Sequence, residues 1–223
     1  MEYPIRINKY LALKNYATRK GADELIKKGY VFINGRRAVL GDQVYRDEDV
    51  TVSGKAPKKD YVYYAYNKAV GVSTNPDIKT KDILKVTKFK ETVFPIGRLD
   101  KASEGLIFMT NDGDIVNKIL RARNNHEKEY IVTVDKPITE TFIKQMSNGL
   151  PILDTITKKC KVEKMSQFVF KIVLTQGLNR QIRRMCEYLD YEVTSLKRIR
   201  IINITLDVPV GKYRPLTDKE IIE

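Results

Sequence analysis

The chain has 223 residues, of which 42% are hydrophobic and 31% are charged, and its formal net charge at pH 7 is +13. This composition is typical of a globular protein, and no apolar run approaches the roughly 18 residues of a membrane-spanning helix, so we expect neither a membrane span nor a membrane partner. The excess of positive charge favours a polyanionic partner such as nucleic acid, although charge alone also fits a basic surface without a specific partner.

Residues 1–52 form the first predicted unit. Apolar residues recur at helical spacing around residues 7–11 and again around 22–26, and Thr18 is placed to cap the second helix. The segment YVFINGRRAVL follows, with an Asn-Gly turn between apolar stretches, and DVTV predicts a further strand. We therefore predict helix, turn, helix and then a small sheet.

Basic side chains are concentrated in this first unit. Residues 1–40 contain nine Lys or Arg residues against three Asp or Glu residues. Lys20 and Lys27 are seven residues apart, so they share a helix face, and that face is not the apolar one. Basic side chains on such a face can contact phosphates. The candidate RNA contacts of this unit are Arg6, Arg19, Lys20, Lys27, Lys28 and Arg36; a basic helical hairpin without a specific partner is the alternative.

A short polar stretch with Gly and Pro predicts a linker at residues 53–60, and residues 61–223 are predicted to form one mixed domain. Thr217 and Glu220 have the spacing of a helix capping box. The predicted strands are 61–66, 106–110, 130–134, 159–163, 168–174, 192–199 and 201–206, and the predicted helices are 115–121, 140–147 and 180–189. Because strands outnumber helices and are often adjacent in sequence, the predicted fold class is α+β with a mainly antiparallel mixed sheet, preceded by a small α/β domain.

The predicted helix LNRQIRRMCEYL is two-sided. At 100° per residue, Arg180, Arg183 and Arg184 fall on one face, and the apolar residues fall on the opposite one. The apolar face is expected to dock, and the arginine face is expected to point outward. The planar guanidinium of arginine suits phosphates or a carboxylate held in a cleft, and a solvated stripe is the alternative interpretation.

The scarcity of cysteine and histidine limits the chemistry that the chain can perform. Cys160 and Cys186 cannot build a disulfide framework. With His126 as the single histidine, a zinc site lacks ligands at normal spacing, and no nucleophile can be built on another histidine. We therefore expect no metal site. The N-terminus lacks the build of a secretory signal, which makes the cytoplasm the expected compartment.

The first unit resembles the S4-like RNA-binding module. In that module an arginine opens the first helix, a small residue followed by arginine opens the second, and a segment like GYVFINGR closes the motif. Thr18 stands where the family pattern usually has serine, and either hydroxyl can cap a helix. The resemblance implies that this domain binds RNA.

The segment GRLDKASEGL resembles the signature of the pseudouridine synthases, in the branch that modifies ribosomal RNA and carries an S4-like domain in front. NKAVGV corresponds to the first motif of that family, HEKEYIV to the segment that bears an active-site tyrosine, and GLNRQIRRM to its basic motif. The resemblance covers essentially the whole chain. Ala69 departs from the first motif, where proline is usual, and is expected to loosen a turn rather than remove a reacting group.

The resemblance implies that the chain isomerises uridine to pseudouridine without metal or cofactor. It identifies Asp100 as the nucleophile, Tyr130 as the residue that packs on the flipped uracil, and Arg183 as the partner of Asp100. Arg98 would fill the gap that the flipped base leaves in the RNA. The remaining RNA contacts implied by the basic motif are Asn179, Arg180 and Arg184.

The segments NKIL, NNHEKEYIVTVDKPITE and QGLNRQIRRMCEYLDYEV are most similar to members that act on a uridine of 23S rRNA near the peptidyl transferase centre and on the anticodon-loop uridine of tyrosine tRNA. The expected partners are a 23S rRNA stem-loop or the assembling large ribosomal subunit, with tRNA as a second candidate, and the chain is expected to be a monomer. A non-catalytic S4-type rRNA-binding protein in ribosome assembly is the alternative. The presence of all three catalytic motif positions favours the enzyme.

Overall fold

A computed structural model of the chain describes residues 3–14, 16–53, 61–75, 81–113, 115 and 126–222. The chain divides into two compact units, Met1–Tyr61 with Asp112–Ile115 and Val62–Asn111 with Val116–Glu223. Nearly all of the predicted linker and of the predicted helix at 115–121 lies outside the described residues, and the domain limits at 52 and 61 stay a prediction. None of the described helices is long and apolar enough to cross a membrane.

The first unit has the predicted order of helix, turn, helix and small sheet. Thr18 caps the second helix, because its Oγ1 accepts a hydrogen bond from the backbone N–H of Gly21 at 3.2 Å. The described elements are β1 (Ile5–Arg6), α1 (Ile7–Leu13), α2 (Arg19–Lys27), β2 (Val31–Ile33), β3 (Arg36–Arg37), β4 (Gln43–Val44) and β5 (Val50–Val52). Strand β2 lies between β3 and β5, and β1 pairs with β4.

The Asn-Gly turn of the first unit joins β2 to β3. Ile33 pairs with Arg36, so the loop consists of the two residues between them. Asn34 and Gly35 both have positive φ, at 49° and 78°, which is the backbone conformation that a two-residue hairpin requires. This prediction from the sequence is confirmed.

The core of the first unit comes from the apolar positions at helical spacing. Ile7 and Leu11 of α1 and Ala22 and Ile26 of α2 are buried together with apolar residues of the small strands. Their removal from water holds the helices against the sheet and leaves the basic side chains outside. All six candidate RNA contacts of this unit are exposed, namely Arg6, Arg19, Lys20, Lys27, Lys28 and Arg36.

The second unit is built on a large mixed sheet. Its described strands are β6 (Tyr63–Lys68), β7 (Phe94–Ile96), β8 (Glu104–Thr110), β9 (Lys128–Val134), β12 (Lys161–Lys164), β13 (Val169–Leu174), β14 (Val193–Ile201), β15 (Ile204–Thr205) and β16 (Tyr213–Pro215). A separate hairpin is formed by β10 (Pro151–Ile152) and β11 (Thr155–Ile156). The described helices are α3 (Ile83–Val86), α4 (Glu140–Asn148), α5 (Gln181–Tyr188) and α6 (Asp218–Ile222).

The strand order in the large sheet is β12-β13-β9-β14-β8-β6-β16, and β15 and β7 pair with β14 and β8. Among the described strands the pair of β14 and β8 is parallel and the other pairs are antiparallel. The mainly antiparallel α+β fold is confirmed. The parallel pair sets the start of β8 beside the middle of β14, where Arg198 pairs with both Gly105 and Tyr130. The turn that precedes β8 is therefore brought close to the centre of β9.

Helices α4 and α5 contribute to the main core of the second unit. Phe142 and Met146 of α4 are buried with Phe170 and Ile172 of β13. The apolar face predicted for α5 is buried in the same core, through Ile182, Met185 and Cys186. This packing fixes α5 firmly, so the residues at its start have a defined position.

One predicted strand is wrong. The expected strand at 201–206 is interrupted, because β14 continues to Ile201 and the chain then turns at Ile202 into β15. Ile202 has a φ of 55°, a backbone conformation that a β-branched residue rarely adopts. Isoleucine favours strands in sequence patterns, so the isoleucines of this segment favoured an uninterrupted strand, although Asn203 in the turn is a residue type common in turns.

Candidate active site

A cavity of about 650 Å³ lies in the second unit and is lined by all three residues that the sequence identified as catalytic. Asp100 comes from the turn before β8, Tyr130 from β9 and Arg183 from α5. Arg98, Asn179 and Arg180 also line this cavity. Residues that are far apart in the chain therefore meet in one place.

Asp100 lies in a tight turn that is closed by backbone hydrogen bonds. Its carbonyl oxygen accepts a hydrogen bond from the N–H of Ser103 at 2.9 Å, and the N–H of Gly71 donates to the carbonyl of Lys101 at 2.7 Å. Within the described residues, the Asp100 carboxylate forms no ion pair and accepts no hydrogen bond, and it is half-buried at the cavity wall. The turn thus presents an unpaired carboxylate to the cavity.

Arg183 does not point outward as the helical wheel predicted. It is 8% exposed. Its Nη1 donates to the carbonyl of Val193 at 3.0 Å, and its Nη2 donates to the carbonyl of Ala102 at 3.0 Å. The long aliphatic stem allows the guanidinium to turn inward, where backbone carbonyls accept its hydrogen bonds.

Arg183 therefore supports the turn that carries Asp100, and its guanidinium forms no ion pair with Asp100 itself in the structure. The predicted direct pairing stays a prediction. Burial and the charge of Arg180 lower the pKa of Arg183, while the negative charge of Asp100 acts in the opposite direction. Asp100 and Arg183 thus interact electrostatically without touching.

Tyr130 lies in the middle of β9 and is 9% exposed. It pairs with Ile172 of β13 on one side and with Arg198 of β14 on the other. Central strands restrict the side chain to one face of the sheet, which fixes the ring relative to Asp100. An aromatic ring held in this way can stack on a planar base.

Three cationic residues near the site were not predicted from the sequence. Lys68 is fully buried, and its Nζ donates to the carbonyls of Ala69 and Val72 at 2.8 and 2.9 Å. Burial lowers the pKa of Lys68 to about 8, and the opposite charge of Asp100 limits this shift. Lys128 and Arg198 both line the cavity. The sequence signal that could have identified these three residues is a basic residue at a strand position that faces the interior.

The candidate RNA contacts of the second unit differ in their surroundings. Arg98, Asn179 and Arg180 are exposed at the cavity. Arg184 is half-buried, does not line the cavity and donates to the carbonyl of Asn179 at 3.1 Å. Within the described part of the chain, no group of three or more His, Cys, Asp or Glu residues could hold a metal ion.

Comparisons with known proteins agree with this site. Residues 50–188 match the family described as RNA pseudouridylate synthase, and residues 5–50 match the S4 domain. The dual-specificity RNA pseudouridine synthases RluF of Salmonella typhi and of Escherichia coli K12 are each 56% identical to this chain, over 98% of it and 78% of their own length. A crystal structure of a pseudouridylate synthase matches 98% of both chains with 26% identity and a TM-score of 0.73.

The alternative of a non-catalytic binding protein is not supported, because the matched family is catalytic. The motif residues are present and converge on one cavity. The chain belongs to the RNA pseudouridylate synthase family, in the branch that carries an S4 domain in front of the catalytic domain, and it is an RNA-modifying isomerase.

Proposed function

We propose that the chain converts one uridine of 23S rRNA, near the peptidyl transferase centre, to pseudouridine. The observation that carries this proposal is the meeting of Asp100, Tyr130 and Arg183 in one cavity. The reaction breaks the bond between carbon 1′ of the ribose and nitrogen 1 of uracil and rejoins the base through carbon 5. It needs a nucleophile, a grip on the free base and exclusion of water, and these are functions that side chains can supply.

In the proposed mechanism, Asp100 is the nucleophile and Tyr130 packs on the flipped uracil. Arg183 holds the Ala102 carbonyl beside Asp100, so its role is to position the turn and to keep a positive charge near the carboxylate. Arg98 is exposed at the cavity and fills the gap in the RNA, which offsets an unstacking cost of roughly a few kcal/mol.

A second substrate is the anticodon-loop uridine of tyrosine tRNA. Two relatives with 56% identity are named as dual-specificity enzymes, which supports a chain that accepts two RNA classes. The partner of the enzyme is then a 23S rRNA stem-loop or the assembling large subunit, together with tRNA. The enzyme acts as a monomer in the cytoplasm, where these RNAs are found.

The test measures tritium release from RNA that contains uridine labelled at carbon 5, because the isomerisation displaces that hydrogen. The wild-type protein is expected to release tritium from 23S rRNA and from tyrosine tRNA without added metal or nucleotide. The Asp100→Asn variant keeps the shape of the side chain, so it should bind RNA within a few-fold of wild type and lose release by orders of magnitude. Tritium release by the Asp100→Asn variant at the wild-type rate would refute the mechanism.

A further inference from the structure

Two cations flank the tyrosine of the cavity. Lys128 lies on β9 two residues before Tyr130, and Arg198 on β14 pairs directly with Tyr130. Residues two apart on a strand, and residues directly opposite on paired strands, lie on the same face of a sheet. All three line the cavity. The ring that would hold the uracil is therefore bordered by two positive charges.

Within the described residues, the hydrogen-bond acceptors of both cations are backbone carbonyls. Arg198 donates from Nε to the carbonyl of Leu106 at 2.6 Å, and Lys128 donates from Nζ to the carbonyl of His126 at 3.1 Å. Both acceptors are neutral, and neither cation forms an ion pair with a described residue. Burial and the charge of Arg198 lower the pKa of Lys128. Two cations without an ion pair stabilise a negatively charged group that binds or forms in the cavity.

The depth of Arg198 indicates which part of the RNA carries that negative charge. Arg198 is 5% exposed, whereas Arg98, Lys101 and Arg180 line the same cavity and are exposed. The phosphates of an RNA strand stay with the backbone, where exposed cations can meet them. A flipped base enters further than its backbone, so a buried cation faces the base.

We propose that Lys128 and Arg198 stabilise the negative charge that uracil carries during the isomerisation; this inference rests on the proposed function. When the bond between carbon 1′ and nitrogen 1 breaks, its electron pair stays on uracil and spreads over nitrogen 1 and the carbonyl oxygens. The Asp100 carboxylate forms a bond to carbon 1′ as the bond to nitrogen 1 breaks, in keeping with its role as nucleophile.

The charge disappears again as the reaction ends. Carbon 5 bonds to carbon 1′ and displaces the Asp100 carboxylate, the hydrogen on carbon 5 leaves as a proton to solvent, and nitrogen 1 takes up a proton from solvent, so that nothing is gained or lost overall. The anion interacts with Lys128 and Arg198 more strongly than neutral uracil does. The two cations therefore lower the barrier rather than tighten binding of the substrate.

The experiment uses the Lys128→Gln variant, whose amide can still donate to the His126 carbonyl but carries no charge. We expect single-turnover tritium release at saturating RNA to fall by about 100-fold, with RNA affinity within a few-fold of wild type and an unchanged salt dependence of binding. Lys128→Arg should restore most of the rate. Arg198→Gln should behave as Lys128→Gln does.

Lys197→Gln is the matched control, because Lys197 neighbours Arg198 on the same strand, does not line the cavity and pairs with Glu104 at 2.8 Å. It should turn over like wild type. If Lys128→Gln keeps wild-type turnover at saturating RNA, whether or not it binds more weakly with a flatter salt dependence, the inference is overturned. Absence of release from the wild-type protein would instead refute the proposed function. Lys128 is only half-buried, so its variants decide the question even if Arg198→Gln fails to fold.

Discussion

At the scale of single residues, Arg183 joins the helix α5 to the turn of Asp100. Its guanidinium bridges the carbonyls of Ala102 and Val193, so Arg183→Met would leave both without this donor. We expect single-turnover release of tritium at saturating RNA to fall by at least about 100-fold, because a small displacement of a nucleophile is costly.

Arg184→Met is the matched control for Arg183, since Arg184 lies next to it, bonds to Asn179 and does not itself line the cavity. This control should mainly weaken RNA binding and reduce the salt slope by about one. Arg183→Lys keeps the charge but not the planar fork, so it should recover only part of the rate. Equal behaviour of the Met variants at positions 183 and 184 would contradict the positioning role.

A second prediction concerns Gly105, where β8 and β14 approach closely. A Cβ atom at Gly105 would lie 2.3 Å from the carbonyl oxygen of Arg198 and 2.6 Å from its nitrogen, and φ is 121°. Gly105→Ala should therefore separate the strands that bring Asp100 close to Tyr130. We expect a lower melting temperature and little tritium release.

Gly211→Ala tests whether the backbone conformation alone explains this effect. Gly211 also has a positive φ, at 76°, but apart from its two chain neighbours no described residue would lie within 4 Å of a Cβ atom at this position. The substitution should cost about 1 kcal/mol and leave the release rate near wild type. If both variants lose melting temperature and tritium release to a similar extent, the close approach of Gly105 to the Arg198 backbone does not explain the effect.

The sequence predicted some residues of the site and missed others for a physical reason. Asp100 and Tyr130 were found through motifs, and the structure brings them to one cavity. The inward turn of Arg183 could not be predicted from a helical wheel, because its acceptor, Ala102, belongs to a distant segment. Arg198 was missed because its acceptor, the Leu106 carbonyl, lies on a strand distant in sequence, and Lys68 was missed although its acceptors, the Ala69 and Val72 carbonyls, are close in sequence.

At the scale of elements, local patterns predicted the helices better than the sheet. The capping box at Thr217 and Glu220 forms: the Thr217 N–H donates to Glu220 Oε2 at 2.8 Å, and the Glu220 N–H contacts Thr217 Oγ1 at 3.4 Å. Capping depends on residues three apart, so spacing reveals it. The parallel pairing of β14 with β8 joins segments far apart in sequence, and strand patterns do not specify the partner.

Helix α6 is also held by an ion pair that predicts a pH dependence. Arg214 of β16 donates from Nη1 and Nη2 to the two oxygens of Glu220 at 2.9 and 2.7 Å. These bonds, followed by those from Thr217, lower the pKa of Glu220 to about 2 from 4.5. A depressed pKa contributes stability above the unfolded value, and this contribution is lost as the pH falls from about 4.5 through about 2.

We expect Glu220→Gln to reduce the free energy of unfolding by about 1 kcal/mol at neutral pH. The difference in melting temperature between wild type and variant should shrink as the pH falls from about 4.5 towards 2. Glu163→Gln is a control on the surface, where Glu163 pairs with Lys171 at 2.9 Å and its side chain is 55% exposed. A difference for Glu220→Gln that does not change with pH would contradict the assigned role of the ion pair.

At the scale of the whole molecule, the basic residues of the two units have different expected roles, RNA binding in the first unit and catalysis in the second. Among the described residues, the basic side chains of the first unit are exposed and none of them lines the cavity, whereas the second unit holds the catalytic motifs. Exposed lysines can meet phosphates of any sequence, so they supply affinity and a salt dependence. We therefore expect the S4 domain to affect binding rather than the chemical step.

The combined substitution of Lys20, Lys27 and Lys28 by Gln tests this division in the full chain. All three side chains are exposed, so the fold should be unaffected. RNA affinity should fall, and the slope of the logarithm of affinity against the logarithm of salt concentration should drop by up to about three, one for each phosphate contact. The rate of tritium release at saturating RNA should stay within a few-fold of wild type.

A matched triple variant separates local contacts from the overall charge. Lys144, Lys161 and Lys212 are exposed on the second unit and do not line the cavity, and their replacement by Gln removes the same net charge. If long-range attraction alone governs binding, both triple variants should lose affinity equally, which would contradict a specific role for the S4 domain. If the S4 lysines contact phosphates, the first variant should lose more affinity, because each contact releases counterions where it forms.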